Sequence, residues 1–127
     1  SDDDRAENVR RMAEVAKLFA SAGAITIVPI ISPFASGRQF ARLIHTSDNL
    51  EFVEVFVATP LSECEKRDTK GLYAQVKNGA KIGLSGVNAP YEEPTSPEFV
   101  LCKHGETLQT CVSELLSDIV RRCDMKR

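Results

Sequence analysis

The stretch EFVEVFVATPLSE, residues 51–63, contains the signals of a buried strand and of the helix that follows it. Residues 52–57 are valine and phenylalanine apart from one glutamate, a composition typical of strands covered on both faces. Thr59 can cap the first free amides of a helix, and Pro60 suits the first helical position, where its missing N–H would have had no partner. Because a strand that leads into a helix is the repeating unit of parallel sheets, the stretch predicts an α/β fold.

The segments before this stretch extend the same pattern. Apolar residues three and four apart predict an amphipathic helix over residues 4–22, ended by Gly23. Residues 24–31 are almost continuously apolar and predict a second buried strand, with Pro29 placing it near an edge or interrupting its pairing. A further helix is predicted over residues 37–45.

The segments after it complete the predicted architecture. Residues 70–95 are rich in Gly, Lys, Asn and Pro, and we interpret them as a mobile lid with a short helix over residues 72–77. A strand over residues 99–101 precedes a helix over residues 108–122, which should pack on the sheet. Residues 1–127 therefore predict one domain, a parallel sheet with helices on both faces and ligands bound beyond the carboxyl ends of its strands.

Composition excludes several classes of function. The net charge of −2 gives no reason to expect nucleic acid or an anionic membrane as partner. No apolar stretch approaches the roughly 20 residues that span a bilayer, and no signal peptide is evident, so we expect a soluble cytoplasmic protein. The four cysteines lack the close pairs that hold zinc, and His45 and His104 have no ligand partners at metal-binding spacing. We expect no metal site built from these side chains.

Some side chains are candidates for binding an anion. Arg5 and Asn8 lie three apart, so both can point from the first helical turn into one pocket, where a guanidinium fits phosphate or sulfate oxygens. Ser32 precedes a proline, which should hold it extended with its hydroxyl and amide facing the crevice. Arg67 and Lys70 lie at the start of the lid, whose closure would bring cations over anionic reactants. From the residues alone, solvated helix faces and a simple turn remain alternative interpretations.

Four segments resemble the adenylylsulfate kinase (APS kinase) family, in the family's own order and spacing. They are DRAENVRR (residues 4–11), ISPF (31–34), CEKRDTKGLY (64–73) and GLSGVNAPY (83–91). The resemblance runs from residue 1 to about residue 100. It implies the three-layer α/β/α fold of phosphate-loop kinases with its N-terminal part absent, and transfer of the γ-phosphoryl group of ATP, with Mg²⁺, to the 3′-hydroxyl of adenylylsulfate.

The resemblance also implies roles for individual residues. Those that match adenylylsulfate-binding positions of the family are Arg5, Asn8, Ile31, Ser32, Lys70, Gly83 and Leu84. The serine matching Ser32 has been proposed as a phosphorylated intermediate in some members. We assign it to binding first, since phosphoryl transfer needs positioning and charge neutralisation more than a protein nucleophile. Arg67 matches an arginine on the ATP side, and Arg38 matches a family arginine after the Ser-Pro segment and is a further candidate.

Departures from the family pattern keep other functions open. Leu84 stands where the family has a phenylalanine that stacks on adenine, and losing that face costs about 0.5 to 1.5 kcal/mol. Ala58 stands where most active members have aspartate. The kinase-like domain of fungal ATP sulfurylases, which lacks kinase activity, also has alanine at this position. The first alternative is therefore a regulatory domain that binds an adenylyl nucleotide without transferring phosphate. The second is another phosphate-loop kinase, acting on an acceptor without sulfate.

The resemblance places the ATP-binding phosphate loop before residue 1. We therefore expect the 127 residues alone to be inactive and the intact parent to carry the activity. The partners it implies are ATP and adenylylsulfate, with homodimerisation and fusion to, or association with, ATP sulfurylase as further expectations.

Overall fold

The chain forms five helices and two strands in a computed structural model that describes residues 1–103 and 105–125. His104 lies outside the described residues. In order, the elements are α1 (Asp2–Ser21), α2 (Ala35–Thr46), β1 (Val55–Val57), α3 (Leu61–Arg67), α4 (Leu72–Lys77), β2 (Phe99–Leu101) and α5 (Leu108–Asp124). The strands pair in parallel, with Val55 opposite Phe99 and Val57 opposite Leu101. The predicted α/β class and parallel pairing are confirmed, in a two-stranded sheet.

Helix α1 begins with a complete capping box. The Ser1 hydroxyl accepts a hydrogen bond from the Asp4 amide at 3.2 Å, and the Asp4 carboxylate accepts one from the amino group of Ser1 at 2.9 Å. These bonds satisfy amides that have no partner within the helix. Gly23, at φ 90°, follows the last turn in a conformation that glycine adopts without strain. Because Ser1 is the N-cap, the helix starts at Asp2, two residues earlier than predicted.

The best-packed contact joins α1 to α2. Val9, Ala13 and Ala16 are buried on one face of α1, as their spacing predicts. A Cβ added to Gly37 would lie 3.1 Å from Cγ1 of Val9, so the glycine allows the two helices to approach closely. His45 is buried at the end of α2, with its Nδ1 2.7 Å from the Ala41 carbonyl. His45 is therefore a packing residue at the end of α2.

The predicted strand over residues 24–31 is absent from the sheet, and that prediction is wrong. Ile25, Ile27 and Ile31 are 64, 70 and 67% exposed. A strand is stable only when its backbone groups pair with a neighbour. Within residues 24–31 the Ala24 amide bonds back to the Phe19 carbonyl and the Ile30 amide to the Val28 carbonyl, both at 3.1 Å, and neither bond joins a neighbouring strand. The apolar pattern shows a preference for burial but does not supply a pairing partner.

Two predictions of local detail also need correction. Pro60 is the N-cap of α3 and no side chain caps this helix, so Thr59 does not have its predicted role. Helix α5 forms where predicted, but much of its apolar stripe is exposed. Half or more of each of these side chains is exposed: Leu108, Val112, Leu116 and Val120. The residues that α5 does bury are Cys111 and Asp118.

The cysteines are free thiols in the part of the chain described, and Cys111 is the buried one. Its sulfur lies 2.7 Å from that of Cys102, which follows β2. Among the described helices, none is long and apolar enough to cross a membrane.

We predict that Val9→Ala lowers the free energy of unfolding by about 2 kcal/mol, because it removes buried methyl groups from the contact between α1 and α2. Val15→Ala is the matched control, since Val15 lies on the same helix and is 44% exposed. Urea unfolding followed by circular dichroism measures both. Equal losses in the two variants would contradict the assignment of this contact as the core.

Candidate functional site

Arg5 connects the first turn of α1 to a distant loop. Its Nη2 donates a hydrogen bond to the Gly83 carbonyl at 2.9 Å, and its Nη1 donates to the Asp2 carboxylate at 3.2 Å. A Cβ at Gly83 would lie 2.5 Å from Nη2, so only glycine leaves room for the guanidinium in this position. The structure therefore brings together two predicted site residues that are 78 positions apart. Asn8 is exposed one turn further along α1.

The loop that contains Gly83 and Leu84 is held in shape by Asn88. The Asn88 side-chain oxygen accepts from the Leu84 amide at 2.7 Å, and its Nδ2 donates to the Ile82 carbonyl at 2.8 Å. Asparagine often closes turns through such bonds to nearby backbone. Motif reasoning missed this role, although an asparagine within a glycine-rich segment is the signal that could have indicated it.

The loop between residues 31 and 35 has a different conformation from the one predicted. Ser32 has φ 44°, in the left-handed region, so the prediction of an extended serine is wrong. The Ser32 carbonyl accepts from Nη1 of Arg38 at 2.6 Å, which helps to hold this strained conformation. Ile31 is 67% exposed, and Pro33 is buried.

Glu92 joins this loop to the end of the predicted lid. Its amide donates to the Pro33 carbonyl at 2.8 Å, and its carboxylate accepts from the Ala35 amide at 2.6 Å. Phe34, the N-cap of α2, has no side-chain group to satisfy the free amides of that helix. The Glu92 carboxylate replaces a conventional cap, and its negative charge is favourable at a helix N-terminus.

A chain of ion pairs lies beneath the same loop. Nε of Arg38 is 2.7 Å from the Glu54 carboxylate, and both side chains are largely buried, at 11 and 16% exposure. Arg42 lies 3.4 Å from Glu54 and 2.6 Å from Glu98. Hydrogen bonding from Arg42 lowers the pKa of Glu98 to about 2. Arg38, like Arg5, thus bonds to protein groups, but its side chain is more deeply buried, at 11% against 29% exposure.

The structure does not bring every predicted residue into contact. Arg67 is the last residue of α3 and Lys70 lies on the connection to α4, and both are exposed. Within the described residues neither bonds to Arg5, Ser32 or Gly83. Asp68 fixes this connection, since its carboxylate accepts from the amides of Tyr73 and Ala74 at 3.1 and 3.0 Å.

No group of three or more potential metal ligands occurs among residues 1–103 and 105–125. The magnesium ion implied by the resemblance needs no such group, since kinases hold Mg²⁺ through one or two carboxylates together with substrate phosphates and water. A concavity of about 710 Å³ is lined by Leu116, Ser117, Val120, Arg121, Asp124 and Met125. It is an open surface of α5 that shares no residue with the predicted site.

Comparison with known proteins gives one consistent family. The family model described as adenylylsulphate kinase matches residues 1–102. The chain is 45% identical over 114 residues to the adenylyl-sulfate kinase of Clostridium acetobutylicum, which covers 90% of this chain and 56% of that protein. It is 44% identical over 122 residues to the enzyme of the same name from Marinobacter nauticus, covering 96% of this chain and 60% of that protein.

Two further matches extend the comparison. The chain is 50% identical over 112 residues to the bifunctional enzyme NodQ of Rhizobium sp. strain N33, covering 88% of this chain and 17% of NodQ. The solved APS kinase CysC of Mycobacterium tuberculosis, in complex with AMPPNP and APS, superposes with a TM-score of 0.85 at 40% identity. That superposition covers 92% of this chain and 67% of CysC. The chain thus spans somewhat more than half the length of the two bacterial kinases.

We predict that Glu98→Gln reduces the acid sensitivity of folding. The ordinary pKa of glutamate, 4.5, falls to about 2 in the folded protein, so this carboxylate adds to the free energy of unfolding above pH about 4.5. That contribution is lost as the pH falls from about 4.5 to about 2. Thermal unfolding of wild type and variant across this pH window measures the difference.

Glu63→Gln is the control for this measurement, because Glu63 pairs with Lys66 on the surface, where solvent screens the attraction. We expect it to leave the pH profile nearly unchanged. A wild-type profile that Glu98→Gln does not flatten would contradict the assigned role of the pair with Arg42.

Proposed function

The chain belongs to the adenylylsulfate kinase family, and from this premise we propose that its parent protein transfers the γ-phosphoryl group of ATP to the 3′-hydroxyl of adenylylsulfate. The product is 3′-phosphoadenylylsulfate. The observation that carries the proposal is the contact between Arg5 and Gly83, because it assembles two separate family motifs into one site. The superposition on a kinase solved with AMPPNP and APS supports the same assignment.

In this proposal the contact between α1 and the Gly83 loop forms the acceptor side. The bonds to Gly83 and Asp2 orient the Arg5 guanidinium before substrate arrives, and its remaining N–H groups can donate to phosphate or sulfate oxygens. Pre-orientation lowers the entropy lost on binding. Asn8 binds the base or sugar edge, and Leu84 offers an apolar contact to adenine.

The remaining predicted residues supply positioning and charge. Ser32 lies in a loop held by protein groups, which suits it to place the acceptor rather than to act as a nucleophile. Lys70 serves the acceptor side and Arg67 the ATP side, where cations stabilise the negative charge of the transferring group. Both are exposed and so are available to the reactants.

A regulatory domain that binds nucleotide without turnover is the second candidate. Ala58 follows β1 at the carboxyl end of the sheet, where ligands bind in parallel α/β folds. Its amide donates to the Leu101 carbonyl at 2.8 Å, and its methyl group offers no carboxylate to the site. Fusion to ATP sulfurylase is a related proposal, supported by the match to a protein named bifunctional.

Turnover distinguishes these functions. We expect the full-length protein to consume ATP only when adenylylsulfate is present and to form 3′-phosphoadenylylsulfate, measured by a coupled assay and by chromatography of the product. Nucleotide binding without turnover would contradict the kinase proposal and favour the regulatory domain. Faster turnover with AMP than with adenylylsulfate would favour a different nucleotide kinase.

We predict that Gly83→Ala raises the KM for adenylylsulfate about tenfold without lowering the melting temperature. The added Cβ would lie 2.5 Å from Arg5 Nη2, and the flexible arginine is the group that moves. If Gly83→Ala acts by displacing Arg5, the double variant should have nearly the same KM for adenylylsulfate as Arg5→Ala alone. Additive losses in this cycle would show that Gly83 acts independently of Arg5.

A further inference from the structure

Each nitrogen of the Arg38 guanidinium contacts a different segment of the chain. Nη1 donates to the Ser32 carbonyl at 2.6 Å, and Nη2 donates to the Glu92 carbonyl at 2.7 Å. Nε pairs with the Glu54 carboxylate at 2.7 Å. The side chain is only 11% exposed, so these contacts form largely away from water.

The Arg38 contacts connect two walls of the proposed acceptor site. Ser32 belongs to the loop after residue 31, whereas Glu92 ends the segment that contains the Gly83 loop. Glu92 bonds back to the Ser32 loop through the Pro33 carbonyl and the Ala35 amide. Residues 32–35 and Glu92 are therefore locked together, and Glu54, just before β1, ties the pair to the sheet.

We propose that Arg38 is a positioning residue that sets the place of the predicted lid relative to Ser32. This inference rests on the proposed function for the identity of the substrate. In this proposal Arg38 does not touch substrate, because its side chain is largely buried and each of its three nitrogens already contacts a protein group. It acts by holding the Ser32 backbone in its left-handed conformation and by fixing the end of the lid beside it.

The substitution Arg38→Lys distinguishes this positioning role from a general contribution to folding. Lysine keeps the positive charge beside Glu54, but a single ammonium cannot reproduce the planar fork that spans two carbonyls and a carboxylate. Arg42 provides the matched control. It lies one turn along α2 and pairs with the same Glu54, but within the described residues it bonds to neither Ser32 nor Glu92.

The experiment compares Arg38→Lys with Arg42→Lys in the full-length protein. For Arg38→Lys we expect the KM for adenylylsulfate to rise about tenfold, with the KM for ATP and the melting temperature close to wild type. Hydrogen–deuterium exchange of backbone amides in residues 84–92 should become faster. For Arg42→Lys we expect neither change. Equal effects of the two variants, an equal rise in both KM values, or unchanged exchange in Arg38→Lys would overturn the inference.

Glu92→Ala keeps the inference testable if Arg38→Lys does not fold, because Glu92 is exposed and its loss leaves the ion pairs intact. It removes the bond to the Ala35 amide but keeps the Glu92 carbonyl that Arg38 contacts, so we expect the KM for adenylylsulfate and the exchange to stay close to wild type. A rise of about tenfold in that KM would show that the Glu92 carboxylate, rather than Arg38, positions the lid, and would overturn the inference. If wild type shows no turnover, the proposed function fails, and hydrogen exchange in the Arg38 and Arg42 variants still decides the positioning role.

Discussion

The ion pair between Arg38 and Glu54 is the interaction on which the arrangement of the site depends. It lies where α2, the approach to β1 and the end of the predicted lid meet, and both side chains are largely buried. Removing one partner of such a pair leaves the other charge poorly solvated, at a cost of several kcal/mol. The surrounding bonds to Ser32 and Glu92 use the same guanidinium, so the charge that stabilises the contact also determines loop geometry.

The elements with strong local signals could be predicted from the sequence. Capping residues and apolar spacing located α1, and the short helix over Leu72–Lys77 was predicted at its observed bounds. The prediction of a strand over residues 24–31 was wrong because composition shows which residues favour burial but not which backbone segment pairs with them. The prediction that the apolar stripe of α5 is covered was wrong for the same reason, since a period of 3.6 residues defines a helix face without specifying what covers it.

For the candidate site, the sequence predicted individual residues better than the contacts between them. Family motifs indicated Arg5 and Gly83, but no periodicity predicts a contact across 78 positions of chain. Arg38 was predicted only as a further candidate, and the structure is needed to show that each of its three nitrogens contacts a protein group. Asn88 and Glu92 were missed because each acts through turn or cap bonds to backbone, which leave little trace in motif spacing.

The proposed function depends most on Arg5, which bonds to the Gly83 carbonyl and which we propose recognises the sulfate of adenylylsulfate. Calorimetric titration of the full-length protein with adenylylsulfate and with AMP, in wild type and Arg5→Ala, tests it most directly. The account predicts that wild type prefers adenylylsulfate and that Arg5→Ala loses most of this preference. Equal affinity of wild type for the two nucleotides, or a preference that survives the loss of Arg5, would contradict it.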